Sequence, residues 1–235
     1  MKKDMIKNIV ISVLSLALII LIIVVFLVKG DIKYKYFDND LVEINNKTNF
    51  KVKTNIINSS MLAVLLTSNE KKPCIASVVV KMYNESGKQV LKDDFSDILF
   101  NDNSNVFTFA LPVLDKEEYA GKIEVEVNKE NISYSSTVDI DKVKYSINKK
   151  ENEDNSLAVD VNFTNNNTEN LSLLSGYIVA FKDNDIVDIQ YFSHENVLVG
   201  STVTSNVTFI SNVGLESFDY DKIDVYITHI DGNLQ

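Results

Sequence analysis

The chain has two hydrophobic patterns, and they meet near residue 30. From Ile9 to Val28 the residues are apolar except for Ser12 and Ser15. As a helix rising about 1.5 Å per residue, such a run covers about 30 Å, the hydrocarbon thickness of a bilayer. Its internally bonded backbone is what a bilayer tolerates, so the pattern predicts a single transmembrane helix over 9–28. Beyond it the period changes to two. Leu157, Val159, Val161 and Phe163 alternate with Ala158, Asp160, Asn162 and Thr164, and Ile123, Val125 and Val127 alternate with Lys122, Glu124 and Glu126. Alternation of this kind predicts half-buried strands. Asn84-Glu85-Ser86-Gly87 and Asp183-Asn184-Asp185 supply tight turns between strands. Pro73 and Pro112 fall at strand edges, where a missing N–H is tolerated.

The strand pattern repeats. Lys51–Ile56 matches Lys142–Ile147 at an offset of 91, Leu62-Ala63-Val64 matches Leu157-Ala158-Val159 at 95, and Thr67–Glu70 matches Thr164–Asn167 at 97. Tyr83 matches Phe181 at 98; Thr108-Phe109 and Lys122–Val125 match Thr208-Phe209 and Lys222–Val225 at 100. Chance matches would scatter, whereas these offsets only grow, as a tandem duplication with lengthened loops would give. Six or seven short strands per copy, without a helical pattern, predict an antiparallel sandwich. The expected organisation is a short cytoplasmic tail at 1–8, the helix at 9–28, a stalk at 29–50, and sandwiches at 51–140 and 141–235. The junction Val138–Val143 lacks Gly, Pro and Ser and keeps its alternation. One sandwich is therefore expected to run straight into the next at a fixed angle.

Tyr177–Asn184 and Val79–Lys88, together with the polar loop Thr164–Asn170 and the Ser205–Phe209 strand, carry a resemblance. The chain resembles the immunoglobulin-like FxLYD-type domains of bacterial surface proteins, from about Lys51 onward. That implies an all-β fold of two tandem Ig-like sandwiches preceded by the transmembrane helix, presented outside the membrane as spacer or binding modules. No functional residue carries over.

Composition narrows the function. The formal net charge is −10, and an acidic surface repels phosphate backbones, which disfavours nucleic acid. All 23 basic residues are Lys, so bidentate arginine clamps are excluded. The single cysteine, Cys74, cannot form an internal disulfide and reads as a small buried hydrophobe. A cleaved signal peptide fits poorly, because the apolar run exceeds the usual h-region and Val28-Lys29-Gly30-Asp31 is no small-x-small cleavage site. Lysines flank the run on both sides, but only eight residues precede it. A plasma-membrane signal-anchor, single-pass, with the C-terminal mass extracytoplasmic, is the expected topology.

Candidate chemistry is sparse. His194 and His229 read as strand histidines, since no second-copy cysteine could complete a zinc set. Asp183-Asn184-Asp185 with Asp188 lacks the Gly and Glu of a calcium loop. No triad order, phosphate-cradling loop or H-E-x-x-H occurs. The expectation is a protein that is not an enzyme and uses no cofactor, metal or small-molecule ligand. Two interaction surfaces stand out instead. Met61 and Leu65 occupy outward positions where the second copy has Ser156 and Asp160, an apolar patch that the stalk Tyr34–Ile44 is expected to cover. The last strand, with Ile223, Tyr226, Thr228 and Ile230, has no counterpart of Asn131–Ile140 to pair with, if that segment returns as a strand rather than serving as a linker. The pattern predicts an envelope binding or structural protein with a protein partner; the alternative is an accessory or sensory subunit of a membrane complex for transport, secretion or wall assembly. A pilin is disfavoured, because Lys7–Ile11 lacks the glutamate of pilin helices.

Overall fold

The structure is a computed structural model that describes residues 37–100, 103–112, 120–133, 137–152, 156–210 and 217–232. The apolar run 9–28 lies outside these residues. Among those described, no helix is long and apolar enough to cross a membrane.

The described chain is all-β. The strands are β1 (Val42–Asn46), β2 (Lys51–Ile57), β3 (Met61–Thr67), β4 (Cys74–Asn84), β5 (Gln89–Leu99), β6 (Ser104–Ala110), β7 (Ala120–Ser133), β8 (Val143–Glu151), β9 (Leu157–Asn165), β10 (Leu171–Lys182), β11 (Asp185–Val197), β12 (Thr202–Phe209) and β13 (Lys222–Gly232). They form four sheets: A, ordered β1-β7-β4-β5; B, β2-β3-β6; C, β12-β9-β8; and D, β11-β10-β13. All pairings are antiparallel except β1 with β7, which is parallel.

Three apolar clusters hold the sheets together. The first lies between A and B, with Leu62, Val64 and Leu66 of β3 facing Val78, Val80, Met82, Ile123, Val125 and Val127. The second lies between C and D, around Leu157, Val159, Val161, Phe163, Ile178 and Ala180, and takes in Ile98 and Phe100 from the first half. The third joins B to D: Ile57, Ala63 and Val106 meet Val179, Phe181, Ile186 and Ile189. The layers therefore succeed one another as A, B, D, C. Period-two geometry explains how β3 and β10 serve two clusters each, because successive side chains leave opposite faces of a strand. Even-numbered β3 residues fill the first cluster and odd-numbered ones the third. On β10, Ile178 and Ala180 fill the second and Val179 and Phe181 the third.

The two halves have matching strand orders, β7-β4-β5 with β13-β10-β11 and β2-β3-β6 with β8-β9-β12. A β-bulge interrupts pairing at Met82/Tyr83 and again at Ala180/Phe181. Lys122 lies opposite Tyr83, and Lys222 opposite Phe181. In the first strand of each half the sequence match slips, since Thr67 faces Lys51 but Thr164 faces Lys144 rather than Lys142. Lys142 instead belongs to a 3₁₀ turn, Ile140–Lys142.

That turn corrects the expected junction. The chain does not run as a strand through Val138–Val143, and residues 131–133 extend β7 instead of opening a hairpin. Asp139 accepts a hydrogen bond from the Asp141 N–H and caps the turn. Asn167 accepts from the Asp139 N–H at 2.8 Å and donates to its carbonyl at 3.1 Å, while the Asn166 N–H donates to the Lys142 carbonyl. Val138 is buried and Ile140 packs against the second cluster, so the apolar alternation there marks anchoring side chains.

Candidate functional site

The two predicted interaction surfaces meet different fates. Met61 and Leu65 pack against the third cluster, where sheet D covers them. The described residues of the expected stalk go elsewhere: Phe37 is buried in the first cluster, with Leu41 and Val42 packed on it. Polar contacts rim the B–D contact. Lys53 Nζ pairs with Asp185 at 2.8 Å, Asn55 Nδ2 donates to the Ile186 carbonyl, and the hydroxyls of Thr108 and Tyr177 lie 3.3 Å apart.

The strand β13 is the edge of sheet D and pairs only with β10 among the described residues. Its two ends differ. Thr228 is buried, and with Asn105 and His229 it surrounds the Asp97 carboxyl of β5. Burial raises the Asp97 pKa, against hydrogen bonds from the Ile98 N–H, Asn105 and Thr228 and the nearby His229. His229 Nε2 lies 2.8 Å from Asp231 Oδ2, and Ile230 is fully buried in the second cluster. Residues 228–230 are thus occupied by packing against the first half.

At Val225 and Ile227 the edge borders a depression of about 290 Å³, lined also by Val143, Lys144 and Tyr145 of β8 and by Ile140, Asp141 and Asn103. This is the seam where the edges of sheets C and D face each other. Tyr226 projects to the other face, into the third cluster, with its hydroxyl 3.3 Å from Asp224 Oδ2. Desolvation, then the Asp224 charge and hydrogen bond, push its pKa up. Tyr145 is also raised, by burial first and then by Asp224. Lys222 Nζ lies 2.6 Å from Asp224 Oδ2 and over the Phe181 ring.

The corresponding seam of the first half is filled. Residues 37–47 run through it: Val42–Asn46 pair with Ile123–Val127, the Lys47 N–H donates to the Val127 carbonyl at 3.0 Å, and Asn39 Oδ1 accepts from the Ile56 N–H of β2 at 2.7 Å. Lys122 Nζ contacts Glu124 at 2.7 Å and also Glu43 of β1 at 2.9 Å. With the seam closed, Ile123, Val125 and Val127 are 0% exposed; Ile223 and Ile227 keep 7% and 6%, and Val225 is only partly buried. The period-two pattern exposes no such difference, because the added strand comes from a segment of mixed polarity and pairs in parallel with a strand about 80 residues away.

Other candidate chemistry takes structural places. His194 Nε2 lies 2.7 Å from Ser205 Oγ, joining β11 to β12 beside the Phe163 and Phe192 rings; desolvation lowers its pKa, and Ser205 is buried. Asp183 and Asn184, with φ of 49° and 68°, form the two-residue turn between β10 and β11. Cys74 is buried and its thiol pKa is raised by burial. Among the described residues, no group of three or more His, Cys, Asp or Glu could hold a metal ion.

No family model and no curated protein matches the chain. Among solved structures it is similar to red sea bream transglutaminase at 9% identity and a TM-score of 0.24, covering 79% of this chain and 31% of that one. That likeness is too slight to support any argument about fold or activity.

Proposed function

We propose that the chain is a membrane-anchored, extracytoplasmic binding or structural protein of the cell envelope, presenting two tandem immunoglobulin-like sandwiches. The observation that carries the reading is the run Ile9–Val28, twenty residues without a charge, long enough to span a bilayer. The matching strand orders of the two halves support their reading as modules. Binding at strand edges and apolar faces suits such modules, which need no catalytic constellation. Protease added to intact cells or protoplasts tests the topology: residues 30–235 are digested from outside. Digestion only after lysis would reverse the orientation and remove the envelope role.

A further inference from the structure

We propose that the seam between β8 and β13, open among the described residues, is a strand-acceptor site. Its occupant is an extended segment of a partner protein that runs parallel to β13 and carries large apolar residues followed by a carboxylate.

The first half supplies the template. There Phe37, Leu41 and Val42 cover the seam and the next residue, Glu43, reaches Lys122. The backbone that follows hydrogen-bonds along Ile123–Val127. In the second half every receiving element is present. Ile223–Ile227 stand opposite β10 as Ile123–Val127 stand opposite β4. The depression offers Val143, Tyr145, Val225 and Ile227 to apolar side chains. Lys222 pairs with Asp224 as Lys122 does with Glu124, which leaves the position that Glu43 takes on Lys122 to an incoming acid. The next polar contact of β1 is not reproduced, since Glu126, the partner of Lys47, is replaced by the inward-facing Tyr226. A basic residue at that point of the partner therefore gains nothing. A second copy of this chain is a poor donor, because in it Phe37 is already buried in the first cluster and Val42–Asn46 are already paired with β7.

This inference rests on the reading of the chain as a binding module but not on its topology, so it is tested on the purified full-length chain in detergent. The probe is a fluorescent peptide of residues 37–47, FDNDLVEINNK, followed by anisotropy and by hydrogen exchange. The expected result is saturable binding that protects the amides of Ile223–Ile227 and leaves those of Ile123–Val127 unchanged. Lys222→Glu, at an exposed position, should weaken binding about tenfold by placing like charges together. A peptide with Glu43→Lys should bind the native chain equally poorly and recover on the Lys222→Glu chain. Absence of saturable binding, equal binding of a scrambled peptide, or sensitivity to Lys122→Glu instead of Lys222→Glu would each overturn the proposal. So would a dimer whose Ile223–Ile227 amides are protected without peptide, since the seam would then be filled by a second copy.

Discussion

Replacing Val179 by aspartate should split the unfolding of this protein in two. Val179 is fully buried in the cluster that joins sheets B and D, and it sits directly opposite Asp224 on β13. The substitution forfeits the burial of a valine side chain, about 1.5–3 kcal/mol. It also buries a carboxylate beside an existing one, which costs several kcal/mol more. The sum, about 5 kcal/mol or more, is comparable with the whole stability of an ordinary domain, about 5–15 kcal/mol. The chain has a less costly response, because the A–B and C–D clusters do not include Val179. Separating B from D hydrates the new carboxylate at the cost of the third cluster and of the contacts that Ile75, Ile98 and Phe100 make with the second, and leaves the rest of both sandwich cores intact. Urea unfolding followed by far-UV circular dichroism and by tyrosine emission, there being no tryptophan, reads the outcome. In the native chain the two probes should coincide, as one cooperative unit requires. In Val179→Asp they should separate into two transitions whose m-values are each about half of the original, because m follows the surface exposed. Val179→Ala, which loses about 2 kcal/mol in methyl groups and cavity, should lower the midpoint without splitting it. A single coincident transition of unchanged m for Val179→Asp would refute the claim that the B–D contact is a separable joint.

Three further outcomes follow from single sites. Burial raises the Asp97 pKa, so the folded state holds that proton more tightly than the unfolded state. The resulting penalty is full above the folded pKa and vanishes as pH falls below the unfolded one; Asp97→Asn should therefore raise Tm at pH 7 and lose that advantage by about pH 3 to 4, the ordinary aspartate range. At Gly176 a Cβ would stand 2.0 Å from the Tyr226 carbonyl oxygen, a backbone atom that cannot move without parting β10 from β13; Gly176→Ala should lower Tm by several degrees, and an unchanged melt would show that the strands are not so closely apposed. Asn167→Ala removes both hydrogen bonds to Asp139, and exchange of the amides in residues 139–142 should accelerate at least about tenfold, the factor corresponding to a net hydrogen bond near 1.4 kcal/mol.

How much of this was legible in the sequence depends on which face of a strand is asked about. Alternation located β9 well: Leu157, Val159, Val161 and Phe163 are all buried, because one face meets a core and the other meets water or polar neighbours. It cannot say what covers an apolar face. The run Met61–Leu66 has no polar residue on either side, which signals burial on both faces, and Tyr177–Phe181 carries the same signal. Periodicity gave no means of pairing these two runs across more than 100 residues, and so the nearer stalk was the expected cover for Met61 and Leu65. The junction misled for the opposite reason. Val138 and Ile140 alternate as strand residues do, yet the intervening Asp139 caps a turn whose hydrogen bonds run to Asn167. Thr228 shares this difficulty: its burial depends on Asp97 of the first half, a contact that no local pattern encodes.

The candidate site lies where the repeat stops repeating. Two halves of matching strand order should bury matching strands equally, since burial follows from the neighbours that geometry supplies. They do not, because residues 37–47 lead into β2 through a strand laid along β7, whereas the 3₁₀ turn Ile140–Lys142 leads into β8 directly. A strand edge with apolar neighbours is a standing invitation to pairing, and proteins ordinarily cover or blunt it. In the first half the chain provides its own cover. In the second half packing against β5 and β6 covers residues 228–230, and the stretch from Lys222 to Ile227 keeps its depression, its cation and its apolar lining. Restoring symmetry by engineering tests that account from the inside: placing a copy of residues 37–47 between Asp139 and Val143 should reduce the exposure of Ile223, Val225 and Ile227 toward that of their counterparts, raise Tm and abolish binding of the free peptide. If the inserted segment remains freely exchanging and peptide binding persists, the likeness between the two seams is one of strand order only.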